Sequence, residues 1–186
     1  MMERNTWKIV FSGVGGQGLV LDGFLLGEAA SIHEGRHATM TKSYGSEARG
    51  TFTKTDVIVS DEEIGFPGVE EPDVVIALAQ VAYDRYVDSM TDGSIIIYDS
   101  GCVAPRDSKA EQHGYPITEI AAGAGGIISA NLVAMGLLVG LTGLVNEDSM
   151  RAAISNRFAG KPALIAGNTA SFAAGLERAK GGSSCG

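Results

Sequence analysis

Four glycines crowd the stretch Gly13-Val14-Gly15-Gly16-Gln17-Gly18. Glycine carries no Cβ, so a ligand or a neighbouring segment can come close to backbone N–H groups there. The apolar run Trp7 to Phe11 precedes the cluster, and Leu19, Leu21, Phe24, Leu25, Ala29 and Ala30 follow at three- and four-residue spacing. Strand, tight turn and helix in that order aim the positive end of a helix dipole at whatever rests on the turn, which suits an anion. Gly13, Gly15 and Gly18 also read as G-x-G-x-x-G. A dinucleotide fold then needs an acidic residue at the end of the second strand, about 20 residues on. Here that strand ends at Ser43-Tyr44 with Lys42 beside it, and the carboxylate is missing. The G-K-S/T of a P-loop is also absent. The same glycines equally suit close strand-to-helix packing with no ligand at all.

A second chemical cluster is Ser43-Tyr44-Gly45-Ser46-Glu47-Ala48-Arg49-Gly50, which gathers hydroxyls, a carboxylate and a guanidinium in one glycine-flanked loop. Arg49 can pair with Glu47, pair with a neighbouring subunit's carboxylate, or grip a phosphate bidentately. A plain surface turn with a local ion pair is the competing reading. Asn131 stands alone in an apolar stretch. A buried amide needs partners, so it bonds to local backbone or faces a ligand or the glycine loop. Other catalytic sets fail. No G-x-S-x-G elbow is present, nothing positions Ser100, Asp99 and His113 as a triad, and Asp99 suits a turn cap. His33 and His37 flank Gly35 and a strand start, which does not suit a metal.

The elements that must position these residues read as α/β. His37–Ser43 and Thr51–Ser60 look like an antiparallel strand pair. Asp73–Leu78 and Ser94–Tyr98 are apolar enough for parallel strands covered on both faces. Tyr115–Ile120 reads as a short strand, after a charged, solvated loop from Arg106 to Gly114. Helices are expected over Val81–Met90, Ile127–Leu141, Glu147–Phe158 (capped by Asn146) and Ala163–Ala179 (opened by Pro162). Between Glu119 and Glu147 no residue is charged. The glycine-broken AAGAGG and the lack of basic flanks argue against a membrane span, and Gly136 with Gly140 suits close helix packing. The expected architecture is a single-domain three-layer α/β/α sandwich with a mixed, mainly parallel sheet over residues 1–180, and a disordered tail over 181–186.

With 186 residues the chain is long enough for one real core. A net charge of −8 argues against nucleic acid. Cys102 and Cys185 are the two cysteines, too few and too far apart for a zinc or iron–sulfur site. The N-terminus has no apolar core for a signal peptide, so a reducing cytoplasm is the expected home.

The glycine segment together with Ser43 to Gly50 resembles the gamma subunit of 2-oxoacid:ferredoxin oxidoreductases. The resemblance runs on through Pro72–Leu78, Tyr98-Asp99-Ser100, Ala130-Asn131, Leu144-Val145, Asn156-Arg157-Phe158 and Gly160-Lys161. The family usually has proline where Ser46 stands and glycine where Thr51 stands. The resemblance implies an assembly that oxidatively decarboxylates a 2-oxoacid and passes the acyl group to coenzyme A, its electrons leaving through iron–sulfur clusters to ferredoxin. It implies alpha and beta partners that hold thiamine diphosphate and Mg, and a ferredoxin-like delta subunit. The loop Glu47-Ala48-Arg49 looks most like the 2-oxoglutarate and branched-chain 2-oxoacid groups. On this reading the chain has no catalytic or metal residue of its own. Gly13, Gly15, Gly16, Gln17, Gly18, Ser43, Tyr44, Glu47, Arg49 and Asn131 form a binding or interface surface, with coenzyme A a candidate ligand. A free-standing nucleotide- or NAD-binding protein and a purely structural α/β module are the alternatives.

Overall fold

The computed structural model describes residues 4–44 and 52–181. Glu47, Arg49 and the tail beyond Gly181 lie outside these residues. Strands Thr6–Val14 (β1), His37–Tyr44 (β2), Phe52–Ser60 (β3), Val74–Ala77 (β4), Ile95–Asp99 (β5) and Glu111–Tyr115 (β6) form one sheet in the order β2-β3-β1-β4-β5-β6. β1, β4, β5 and β6 are parallel, and β3 is inserted antiparallel between β1 and β2. The sheet is therefore mixed and mainly parallel, with the β2–β3 pair grafted on one edge.

Successive strand residues face opposite sides of a sheet, so a doubly covered strand must be apolar throughout. Ile9 and Phe11 face one core, with Val74, Ile76 and Ile97. Val10, Val75, Ala77 and Ile96 face the other. The first face is covered by Leu19–Glu28 (α1), Ala130–Thr142 (α4), Glu147–Arg157 (α5) and Pro162–Gly181 (α6), while Gln80–Tyr86 (α2) covers the second. Helices on both faces of a mostly parallel sheet make the three layers. The two central helices meet backbone to backbone. A Cβ on Gly136 would strike the carbonyl oxygen of Phe172, and one on Gly175 that of Val133.

Several boundaries depart from the sequence pattern. The Arg106–Gly114 stretch is not all loop, because β6 occupies Glu111–Tyr115 at the sheet edge. Of the expected strand Tyr115–Ile120 only Tyr115 is strand, as the last residue of β6. Pro116 has no N–H to continue the ladder and stands at the N-cap of Ile117–Ala124 (α3). The Asp99 carboxylate then accepts from the N–H groups of Ile117 and Thr118, both at 3.1 Å, and so caps α3 as well as its own turn at Gly101. Ile127–Ser129 is a 3-10 turn, with α4 starting only at Ala130. α2 stops at Tyr86, short of Met90. Asn146 caps α5 through Asp148 N–H at 2.9 Å, and Pro162 opens α6, both as the pattern predicts.

Candidate functional site

The glycine segment lies where β1 hands over to α1. β1 continues through Val14, so Gly13 is a strand residue and not part of the turn. A Cβ there would strike the Gln17 side chain. That side chain is a clasp: its Oε1 accepts from Val14 N–H and its Nε2 donates to the Leu78 carbonyl, both at 2.8 Å. Gln17 thus ties the turn to the end of β4 and fills the gap between the two parallel strands. Gly16 and Gly18 need glycine for their backbone, with φ of 95° and 80°. Gly15 has neither a positive φ nor a close neighbour, so its missing Cβ only leaves the surface open.

Beyond Gly18, α1 begins with no side-chain cap on its first turn. The first N–H groups of a helix have no partner within it and carry its partial positive charge. The residues that carry them, Leu19 to Leu21, line a cleft of about 230 Å³ together with Gly15, Gly16 and Gly18 on one side and Thr53, Lys54 and Thr55 of β3 on the other. Lys54 supplies the cation. Its Nζ lies 2.8 Å from Oδ2 of the buried Asp56, which partly offsets its charge. An uncapped helix start facing a lysine can hold an anion.

Asn131 and Asp22 lie buried behind the glycine turn and do not line the cleft. Asn131 is buried, and a Cβ on Gly18 would come within 2.6 Å of its Nδ2. That amide donates to Asp22 Oδ1 at 2.8 Å. Of the two readings open for Asn131, the structure gives the one facing the glycine loop. Asp22 is completely buried and its Oδ2 has no partner. Burial pushes its carboxyl up to about 8, against the opposing effect of the Asn131 hydrogen bond. The group is mainly neutral at pH 7, so it sets little negative charge behind the turn that borders the cleft.

Register brings the second cluster toward this end of the sheet. Tyr44 pairs with Thr53, which pairs with Gly13; Ser43 pairs with Lys54, which pairs with Ser12. The end of β2 therefore lies two strands, about 10 Å, from the glycine end of β1. Ser43 is exposed there. Glu47 and Arg49 lie outside the described residues. Asp22, Lys54 and Thr55 are site residues that the motifs did not point to. The signal for Asp22 is a lone carboxylate among Leu19, Leu21, Phe24 and Leu25 in a helix whose other buried positions are apolar or glycine. A larger cleft of about 540 Å³ sits at the opposite end of β1, but its arginines are engaged, Arg36 with Asp61 at 2.6 Å and Arg4 with Asp73. Among the described residues no group of three or more His, Cys, Asp or Glu can hold a metal ion, and no helix is long and apolar enough to cross a membrane.

Fold and site together define an α/β domain with an anion-suited cleft at the carboxyl end of its first strand. Residues 8–178 match the family model for pyruvate ferredoxin/flavodoxin oxidoreductase. The 2-oxoglutarate synthase subunit KorC of Methanocaldococcus jannaschii is 41% identical over 152 residues, covering 79% of this chain and 81% of that one. The ketoisovalerate oxidoreductase subunit VorA of Methanothermobacter thermautotrophicus is 39% identical over 175 residues, 93% of this chain but 36% of that one. This chain therefore spans about a third of VorA. Among solved structures, the gamma subunit of a keto/oxoacid ferredoxin oxidoreductase from Geobacter sulfurreducens superposes with a TM-score of 0.83 at 36% identity, covering 94% of this chain and 99% of that one. The chain belongs to the pyruvate ferredoxin/flavodoxin oxidoreductase family, and its full-length likeness is to a gamma subunit.

Proposed function

We propose that this chain is the gamma subunit of a cytoplasmic, thiamine-diphosphate-dependent 2-oxoacid:ferredoxin oxidoreductase, acting as one domain over residues 1–180. The complex converts a 2-oxoacid, coenzyme A and oxidised ferredoxin into acyl-CoA, carbon dioxide and reduced ferredoxin. The observation that carries this reading is the likeness to a gamma subunit over 94% of the chain. Thiamine diphosphate with Mg, and the iron–sulfur clusters, are assigned to alpha, beta and ferredoxin-like delta partners, so the isolated chain is inactive. The KorC and VorA relatives favour 2-oxoglutarate or a branched-chain 2-oxoacid as substrate.

Within that complex we seat a phosphate of coenzyme A in the glycine cleft. Gly18, Leu19 and Val20 at the start of α1 line it, Lys54 stands opposite, and Asp22, buried behind the turn, is mainly uncharged at neutral pH. Arg49 supplies a further guanidinium on this reading. A free-standing NAD-binding protein has less support. Dinucleotides lie in the crevice beyond the carboxyl ends of adjacent parallel strands, and here the Gln17 clasp fills the space between β1 and β4. Size-exclusion chromatography of the chain expressed with its genomic neighbours tests the assignment. Co-elution with a thiamine-dependent partner supports it, and a solitary chain that binds NAD contradicts it. Calorimetry with coenzyme A on the intact complex and on its Arg49→Ala variant tests the ligand; equal affinity would remove coenzyme A from this site.

A further inference from the structure

Three carboxyl groups are buried among the described residues, and two of them are well supplied with partners. Asp56 has the Lys54 ammonium at 2.8 Å. Asp99 accepts from the N–H groups of Gly101, Ile117 and Thr118 and from the Thr118 hydroxyl. Asp22 differs. It is completely buried, accepts one hydrogen bond, from Asn131 at 2.8 Å, and its Oδ2 has no partner. A buried charge persists only when it is paired and fully hydrogen-bonded, so this environment favours the neutral acid.

The unpaired acid stands directly behind the glycine cleft. Asp22 N–H donates to the Gly18 carbonyl at 3.1 Å. The Asn131 amide that bonds Asp22 also lies 2.6 Å from where a Cβ on Gly18 would stand. Carboxyl, amide and the glycine that opens α1 are thus one contiguous unit. Four residues of helix rise about 6 Å, so a charge on Asp22 would act at short range on an anion held at the first turn. It would also take up the positive helix end that such an anion uses. The cleft has a donor besides the helix start: Thr55 lines it, is completely buried, and its hydroxyl has no partner.

Resting on the anion reading of the cleft above, we infer that the site is proton-linked: it holds a dianionic phosphate or sulfate group while Asp22 is protonated and loses affinity for it when Asp22 ionises. The charges on the elements packed around α1 do not substitute for Asp22. On β3, Lys54 and Asp56 are tied to each other. On β2, Lys42 is exposed and opposite Thr55 in register. α5 brings Arg157 over the Phe24 ring at 5.8 Å and Asn156 to Glu28, toward the far end of α1. α4 carries no charge. The midpoint of Asp22, raised by burial to about 8, places the change just above neutral pH. The linkage is reciprocal, so a bound anion holds the proton on Asp22.

The test uses inorganic sulfate, which stays a dianion between pH 6.5 and pH 9, on the full chain as wild type and as Asp22→Asn. Binding is read from the amide resonances of Gly16, Gly18 and Leu19, and the state of Asp22 from its carboxyl carbon resonance. Wild-type affinity should fall about tenfold across that range, while the variant, whose amide cannot ionise, keeps its affinity. Saturating sulfate should raise the Asp22 midpoint in wild type by about one pH unit, the same tenfold seen from the proton's side. This second readout decides the matter even where the variant fails to fold. A flat wild-type profile, equal falls in both proteins, or a midpoint that sulfate leaves unmoved each overturn the inference. Sulfate that shifts none of these amides at either pH overturns the anion reading of the cleft and this inference with it, a result distinct from the rest.

Discussion

The Asp22→Asn substitution should flatten the pH dependence of stability by an amount the structure sets. The folded carboxyl titrates at about 8 because burial disfavours its charged form, whereas its ordinary value is 3.8. Between pH 5.5 and 7.5 the unfolded chain has lost this proton and the folded chain keeps it. The unfolded state therefore binds fewer protons, and stability falls as pH rises. The slope for one such group is about 1.4 kcal/mol per pH unit, or about 2.7 kcal/mol across that window. The contribution is fully present below the ordinary carboxyl value and is gone above about pH 8. The amide introduced by Asp22→Asn retains an oxygen to accept from Asn131 and has no proton to exchange, so its own contribution is flat. Urea unfolding of both proteins, followed by circular dichroism at pH 5.5, 6.5, 7.5 and 8.5, isolates the difference because every other titrating group is shared. The variant should gain on wild type by about 1 kcal/mol or more per pH unit up to 7.5, then level off. Parallel profiles would refute the claim that Asp22 is buried and neutral beneath the glycine turn.

The other predictions concern the same turn. Gly18→Ala adds a Cβ at a φ of 80° and 2.6 Å from Asn131 Nδ2, so it should cost about 2–3 kcal/mol in urea unfolding, while Gly15→Ala costs under about 1 kcal/mol. Gln17→Ala removes the bonds to Val14 N–H and the Leu78 carbonyl and should destabilise by about 1–3 kcal/mol, with faster amide exchange at Val14. Lys54→Ala should weaken coenzyme A binding to the intact complex by about tenfold in calorimetry, an effect that falls with added salt. Adding Asp56→Ala removes the carboxylate left buried and should recover stability without recovering that affinity.

What could be read without the structure was what local physics decides. The unbroken apolar runs at Val74–Ala77 and Ile95–Ile97 need two covered faces whatever the topology, and the caps at Asn146 and Pro162 act within one turn. β6 could not be read, because Glu111 to Tyr115 has little apolar pattern and is held by pairing with β5. The Tyr115–Ile120 error has the same origin. Its β-like composition is overridden by Pro116 and by a capping carboxylate, Asp99, supplied from another strand. At the site, the glycines announced a turn but not their division of labour. Gly13 yields to Gln17 and Gly18 to Asn131, and the second contact spans more than 100 residues of chain. Lys54 was hidden because its relevance depends on β3 entering antiparallel beside β1.

The most direct measurement is ferredoxin reduction driven by 2-oxoglutarate or a branched-chain 2-oxoacid in the presence of coenzyme A, using the complex purified from co-expressed genomic neighbours with and without this chain. The gamma-subunit account predicts that the chain co-elutes with the thiamine-binding partners and that coenzyme A-dependent activity is lost or sharply reduced when it is omitted. Full activity in its absence, with the chain eluting alone, would contradict it.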